Sequence, residues 1–287
     1  MKISDMLKSG KVSLSFEVFP PKDSTKFESV AKACVDIAKL KPDFMSVTYG
    51  AGGGTSEYTA EIAELLKNEG VTPIAHLTCV NSSLAHIDSV LETLKKKNIE
   101  NVLALRGDIL PEASERAFPY AYRLVEYIKK KEPELCVGGA CYPEGHPEAE
   151  SREKDLENLK MKVENGCEFL TTQMFFDNNV LYGFLYRCMK AGIDVPVIPG
   201  IMPIINAKQI ERSCKMSGAA MPPKLKVILD KFSHDPKSMR QAGIIYACEQ
   251  ITDLIANGMK AVHIYTMNKP ETAETILNNL DGILDRE

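Results

Sequence analysis

Short apolar runs rich in Val, Ile and Phe recur along this chain, each closed by Gly, Pro or Asn and followed by a longer stretch with helical spacing. There are eight, at 13–19, 44–50, 72–79, 101–108, 135–142, 169–176, 195–203 and 261–268. The first seven start 26 to 34 residues apart, the size of a βα unit. Between them, segments such as 56–69 place Ile62, Leu65, Leu66 and Glu69 in partial i, i+3, i+4, i+7 order. The last gap, 66 residues, has room for three more helices, predicted at 207–217, 223–232 and 236–257. Eight βα units in 287 residues predict an α/β fold, one (β/α)8 barrel over 1–287 with extra helices before strand 8. A doubly wound sheet more often has about six strands and a glycine fingerprint in its first turn. Here that turn is Phe19-Pro20-Pro21-Lys22, and the Gly-rich loop 50–54 follows the second strand without GxGxxG spacing.

Lys and Arg total 35 against 39 Asp and Glu, a net charge of −4 with no basic block, so nucleic acid is not an expected partner. The longest mostly apolar stretch, 195–207, is broken by Pro196, Pro199 and Pro203 and is too short to span a bilayer. The first ten residues carry Lys2, Asp5 and Lys8 and lack the apolar core of an export signal, so a cytoplasmic location is expected. The eight cysteines are scattered, without a CxxC, and are expected to be reduced thiols; no metal site is expected.

Side chains alternate across a strand, so Leu14, Phe16 and Val18 should meet the helices while Ser13, Ser15, Glu17 and Phe19 point inward. The same parity turns Ser46 and Thr48, His76 and Thr78, Arg106 and Asp108, and Thr171 and Gln173 toward the interior. Five strands thus aim polar groups at the C-terminal mouth, where barrel active sites gather, although barrel interiors are otherwise packed with Val, Ile and Leu. Each residue taken singly has a plain structural reading. Glu17 could pair with Arg106, His76 could be a hydrogen-bonded core histidine, Asp108 could cap the next helix, and Gln173 could satisfy backbone groups. Their shared location points to a site. After strand five, 142–148 reads as a turn fixed by Pro143 and Pro147 rather than a metal motif. The helix expected at 148–166 carries Asp155, Asn158 and Lys162 roughly along one side, either a solvated face or a contact for phosphate or ribose. His86 and His234 are assigned no role.

SFEVFPPK at 15–22, SVTYGAGG at 46–53, AHLTC at 75–79, LALRGD at 103–108, YPEGHPEA at 142–149, TTQMFFD at 171–177 and PGIMPI at 199–204 together resemble the methylenetetrahydrofolate reductase family, in its short bacterial form. The resemblance implies a barrel that holds FAD and reduces 5,10-methylenetetrahydrofolate to 5-methyltetrahydrofolate, in one-carbon metabolism and methionine biosynthesis. It makes Glu17 the general acid that protonates folate N10, opening the ring to an N5 iminium. Flavin N5 then supplies the hydride. Cofactor contacts carry over to Thr48, Tyr49, Ala51, His76, Arg106, Gly107, Asp108, Tyr120 and Ala121, and to Tyr142, His146, Ala149, Asp155, Asn158 and Lys162. Arg106 and Lys162 would be the local cations for an anionic cofactor in an acidic chain. Asp108 would also bind the pterin and act catalytically beside Glu17, and Gln173, Gln209 and Lys269 would complete the folate site.

Three positions depart from the family pattern. Met161 and Lys269 each stand in place of an arginine, and Ser213 replaces a phenylalanine associated with the pyridine nucleotide. The electron donor expected is therefore NAD(P)H or a partner subunit carrying zinc and iron–sulfur clusters, which these cysteines could not ligate. An oligomer is expected. Ser213 and Lys269 motivate an alternative, a non-catalytic FAD- or folate-binding subunit of a larger complex. A barrel lyase acting through Lys22 or a metal finds no inward strand lysine and no ligand set.

Overall fold

The computed structural model describes residues 1–21, 23–49, 56–109 and 116–284; the expected contact at Ala51, the Gly-rich loop 50–54 and Lys22 lie outside the described residues. Nine strands are described: β1 (Ser13–Val18), β2 (Phe44–Val47), β3 (Thr72–Thr78), β4 (Asn101–Leu105), β5 (Cys136–Cys141), β6 (Phe169–Thr172), β7 (Val197–Ile198), β8 (Gly200–Ile201) and β9 (Ala261–Tyr265). Every ladder is parallel, in the order β7-β6-β5-β4-β3-β2-β1-β9-β8. The seventh expected run is divided at Pro199, which has no N–H to give to a ladder. Its first half pairs with β6 and its second with β9. The Pro199 carbonyl accepts from the His263 amide at 2.8 Å, and the Gly200 amide donates to Thr172 Oγ1 at 2.8 Å. One run therefore bridges the two ends of the sheet and completes an α/β barrel.

The helices are α1 (Ile3–Met6), α2 (Phe27–Ala38), α3 (Ser56–Asn68), α4 (Leu84–Lys96), α5 (Ala121–Lys131), α6 (Arg152–Glu164), α7 (Asn178–Lys190), α8 (Ala207–Ser217), α9 (Pro223–Phe232), α10 (Pro236–Ala256) and α11 (Pro270–Leu284). The three extra helices of the long gap stand where they are expected, α9 and α10 each opening on a proline and α10 capped by Asp235 on two backbone amides. Leu14, Phe16 and Val18 pack outward with helix residues such as Cys34, Ile37 and Leu91. Inside, Phe44, Ile74, Leu103, Phe169 and Ile198, joined by Ile3 of α1, form a separate apolar cluster. Phe44 and Phe169 open their strands, and Ile74 and Leu103 lie two residues into theirs, so the apolar filling packs with α1 at the N-terminal end and leaves the C-terminal mouth to polar groups.

Helix α10 lies directly on the chain after β8. A Cβ at Gly243 would fall 1.6 Å from the Ile204 carbonyl oxygen, so no rotamer choice relieves it. Gly243→Ala is expected to cost about 2 kcal/mol through forced separation of helix and loop. That cost lowers the melting temperature by about 3 °C. An unchanged thermal melt would show that the helix shifts freely.

Candidate active site

The strand ends open into a cavity of about 540 Å3. Glu17 reaches it from β1, Thr48 and Tyr49 from the turn after β2, and His76 and Thr78 from β3. Arg106, Gly107 and Asp108 follow β4, and Tyr120 and Ala121 stand at the start of α5. Tyr142, His146 and Ala149 come from the turn after β5, Asp155, Asn158 and Lys162 from α6, and Thr171 and Gln173 from the end of β6. Several of these sit just past their strand, because β2, β4 and β6 leave the ladder at Val47, Leu105 and Thr172, before the expected ends. Gln209 and Ser213 line instead a shallow depression with Met202 and Asn206, and Lys269 is exposed after β9, so none of the three reaches the cavity wall.

Two local devices shape this wall. At Gly107, with φ +85°, a Cβ would lie 3.0 Å from Thr78 Cβ, so the chain after β4 can hug β3 only through glycine. A Cβ at Gly139 would lie 2.5 Å from Lys162 Cδ, and this bare stretch of β5 lets the lysine stem cross the strand so that Nζ donates to the Ala140 carbonyl at 2.6 Å. Helix α6 begins at Arg152, capped by Ser151, later than the expected 148. That leaves 142–151 free to turn. Gly145 takes φ +90°, Asp155 accepts from the His146 amide at 3.1 Å, and His146 Nδ1 accepts from the Glu148 amide at 3.1 Å. The turn reading holds, and no group of residues able to hold a metal is found among the described residues.

Arg106 does not pair with Glu17. Its guanidinium meets Glu148 at 2.9 Å, which holds the Glu148 carboxyl below the usual carboxylate range, and its Nε donates to the Gly107 carbonyl. Asp108 is exposed and caps none of the described helices; α5 starts behind Tyr120 without a side-chain cap. Gln173 does satisfy backbone, its Oε1 accepting from the Met174 amide at 2.9 Å while it lines the cavity. Burial, with Arg106 nearby, holds the His146 imidazole below its ordinary range; burial, with Asp108 nearby, raises the Tyr142 phenol.

At the floor, Glu17 is 8% exposed. Its Oε2 accepts from Ser46 Oγ at 3.3 Å and faces His263 Nε2 at 3.5 Å and His76 Nε2 at 3.7 Å. Burial lowers His76 to about 4, opposed by Glu17, so the ring is neutral near pH 7 and the contact is not an ion pair. His76 Nε2 is buried without a hydrogen-bond partner. Tyr265 donates to the Thr172 carbonyl at 2.6 Å, its phenol pushed well up by burial and by Glu17. His263 and Tyr265 escaped the sequence reading. Their signal was parity on the last strand, where Ala261, His263 and Tyr265 share the inward face. Glu148 was legible only as turn composition.

The chain matches the family model described as methylenetetrahydrofolate reductase over residues 2–281. It is 35% identical over 272 residues to the 5,10-methylenetetrahydrofolate reductases of Pectobacterium carotovorum and Escherichia coli, covering 94% of this chain and 91% of each relative. It is 35% identical to methylenetetrahydrofolate reductase (NADH) 1 of Arabidopsis thaliana, with 99% of this chain covered. The chain spans about half the length of that plant relative, 51%. Among solved structures, an uncharacterized protein from Clostridium thermocellum that binds two copies of 5-methyl-5,6,7,8-tetrahydrofolic acid superposes with a TM-score of 0.69 at 15% identity, over 99% of this chain and all of that one. That likeness is one of fold.

Proposed function

The chain belongs to the methylenetetrahydrofolate reductase family, and from this we propose that it is an enzyme that reduces 5,10-methylenetetrahydrofolate to 5-methyltetrahydrofolate with FAD, as one catalytic barrel over 1–287. The observation that carries this reading is a buried carboxylate, Glu17, at the floor of a cavity whose opposite wall supplies the cations Arg106 and Lys162. The residues present fit the cofactor. Arg106 and Lys162 suit its diphosphate, Asp155 and Asn158 stand one helical turn apart for ribose hydroxyls, and the Tyr120–Tyr122 pair, stacked at 5.6 Å, offers a flat surface at the rim. The buried, unpartnered His76 Nε2 and the Thr48 hydroxyl supply polar contacts at the floor. Bound there, the flavin supplies hydride chemistry.

Glu17 holds a proton for folate N10, and its transfer breaks the N10–methylene bond and leaves an N5 iminium as the hydride acceptor. Asp108, at the mouth and exposed, orients the pterin, and Gln173 holds the folate from the β6 side. Gln209 and Lys269 serve only the outer part of the folate, since both stand off the cavity. The electron donor is NAD(P)H or an electron-transfer subunit. Ser213 on α8 brings no aromatic surface for a nicotinamide, which favours the subunit.

The test is to reduce the purified protein's flavin chemically without oxygen and add 5,10-methylenetetrahydrofolate. Rapid return of the oxidised spectrum is expected; a flavin that stays reduced overturns the reading in favour of a binding subunit. Lys162→Met is expected to weaken FAD binding by ~10-fold, since the anchored ammonium loses a charge-assisted contact to phosphate. Flavin release on dilution measures this, and parental retention would remove Lys162 from the cofactor site.

A further inference from the structure

We propose that His263 is a positioning residue that, with Ser15 and Ser46, forms a directed hydrogen-bond chain ending on Glu17 Oε2 and so keeps the transferable proton of Glu17 on Oε1. This rests on Glu17 being the proton donor. His263 is 3% exposed on β9 and lies behind the cavity wall, and both its ring nitrogens are engaged. Nδ1 meets Ser15 Oγ at 2.7 Å and Nε2 meets Ser46 Oγ at 3.3 Å, while Ser46 Oγ in turn donates to Glu17 Oε2 at 3.3 Å. The register makes this possible, since β1 pairs Ser15 with His263 and Glu17 with Ser46 on its two sides. The groups facing the ring are Ser15, Glu17, Ser46, His76 and the edge-on Tyr265, with centroids 5.3 Å apart.

Two tautomers fit the ring's position, and they differ in what they do for Glu17. If Nδ1 carried the hydrogen, Nε2 would have to accept, the Ser46 hydroxyl would turn to it, and the carboxylate left by proton transfer would lose its closest donor while buried. If Ser15 donates to Nδ1, Nε2–H donates to Ser46 and Ser46 donates to Oε2, so all three bonds run toward the carboxylate. Ser15 Oγ also has the Val262 carbonyl at 3.3 Å, so its one hydrogen has two acceptors; directed to the nearer Nδ1 at 2.7 Å, it sets the direction of the chain. With Oε2 accepting, and no described side chain hydrogen-bonded to Oε1, the proton of the acid resides on Oε1. When it moves, the O–H bond breaks, an N–H bond forms on the substrate nitrogen, and the electron pair stays on the carboxylate, whose charge the Ser46 and His263 donors already face.

The experiment is 15N spectroscopy of imidazole-labelled protein, with His263→Gln assigning the resonance, alongside single-turnover oxidation of the reduced flavin by 5,10-methylenetetrahydrofolate. An Nε2–H tautomer is expected for His263; an Nδ1–H tautomer overturns the proposal whatever the turnover. In kinetics, His263→Leu and Ser46→Ala should each slow the step by ~10-fold with the half-saturating substrate concentration unchanged. Gln, which places an amide N–H near the position of Nε2, should recover most of the rate. Parental turnover in His263→Leu, or a Gln variant as slow as Leu, reduces His263 to a packing residue; should His263→Leu fail to fold, Ser46→Ala decides. A parent protein that does not turn over at all refutes the Glu17 reading instead, and the tautomer measurement separates the two.

Discussion

Glu17→Gln is expected to retain its flavin and lose folate reduction by 10²- to 10⁴-fold, roughly the range that a positioned general acid contributes. The amide has nearly the shape of the carboxyl and can keep the Ser46 and His263 contacts at 3.3 and 3.5 Å, so the floor of the cavity should not rearrange. What it lacks is an acidic proton. Opening of the five-membered ring then has to proceed without protonation at N10, and the methylene carbon stays masked from hydride. The loss should therefore fall on the rate of flavin oxidation by the folate, with substrate affinity nearly preserved, because the interaction removed belongs to the transition state. Two measurements separate the outcomes: FAD content after gel filtration, and the rate at which the chemically reduced flavin is reoxidised by 5,10-methylenetetrahydrofolate. A Gln variant within about threefold of the parent would leave the proton donor elsewhere on the wall.

The barrel was legible because its signal is periodic and repeated. Each βα unit spends one apolar run and one amphipathic stretch, and six spacings of similar length leave little room for another topology. Ends of strands were not legible to the same degree: the expected runs overshoot at Thr48, Arg106 and Gln173, because a rim residue keeps strand-like alternation after its backbone has left the ladder. The division at Pro199 was visible only as a proline within an apolar run, and pairing of the two halves with different neighbours is a property of barrel closure, which no local window contains. The polar mouth was found by parity alone, and so was Glu17. Its partner was not. Arg106 offered the obvious opposite charge, but the basic side chain sits past the end of β4 and meets Glu148, whereas register brings His263 and Ser46 across from β1. Register between strands distant in sequence is tertiary information, so an inward His on the last strand looks no different from a core histidine until its neighbours are known. The same holds for Gln209 and Ser213, whose helix could have folded over the cavity but stands beside a separate depression.

Between pH 6.5 and 4 the protein is expected to lose about 3 kcal/mol of stability through His76 alone. The cause is burial, which lowers the imidazole from 6.5 to about 4 in the folded chain; Glu17 pulls the other way and His263 adds to the lowering. The sign follows from which state takes up the proton first. As pH falls through 6.5 the unfolded chain binds a proton on this ring while the folded chain does not, so acid draws the equilibrium toward the unfolded state. The contribution is fully present above 6.5, has fallen by about 2 kcal/mol at pH 5, and is exhausted below 4, where the folded ring charges as well. His76→Gln, which cannot titrate, should therefore narrow the gap between urea midpoints measured at about pH 7 and about pH 5 relative to the parent. Equal gaps in the two proteins would mean that the folded ring takes its proton at its ordinary pH, making the 3.7 Å contact with Glu17 an ion pair. The distinction reaches the chemistry, because an imidazolium beside Glu17 would stabilise the carboxylate that a proton donor must avoid before the substrate arrives.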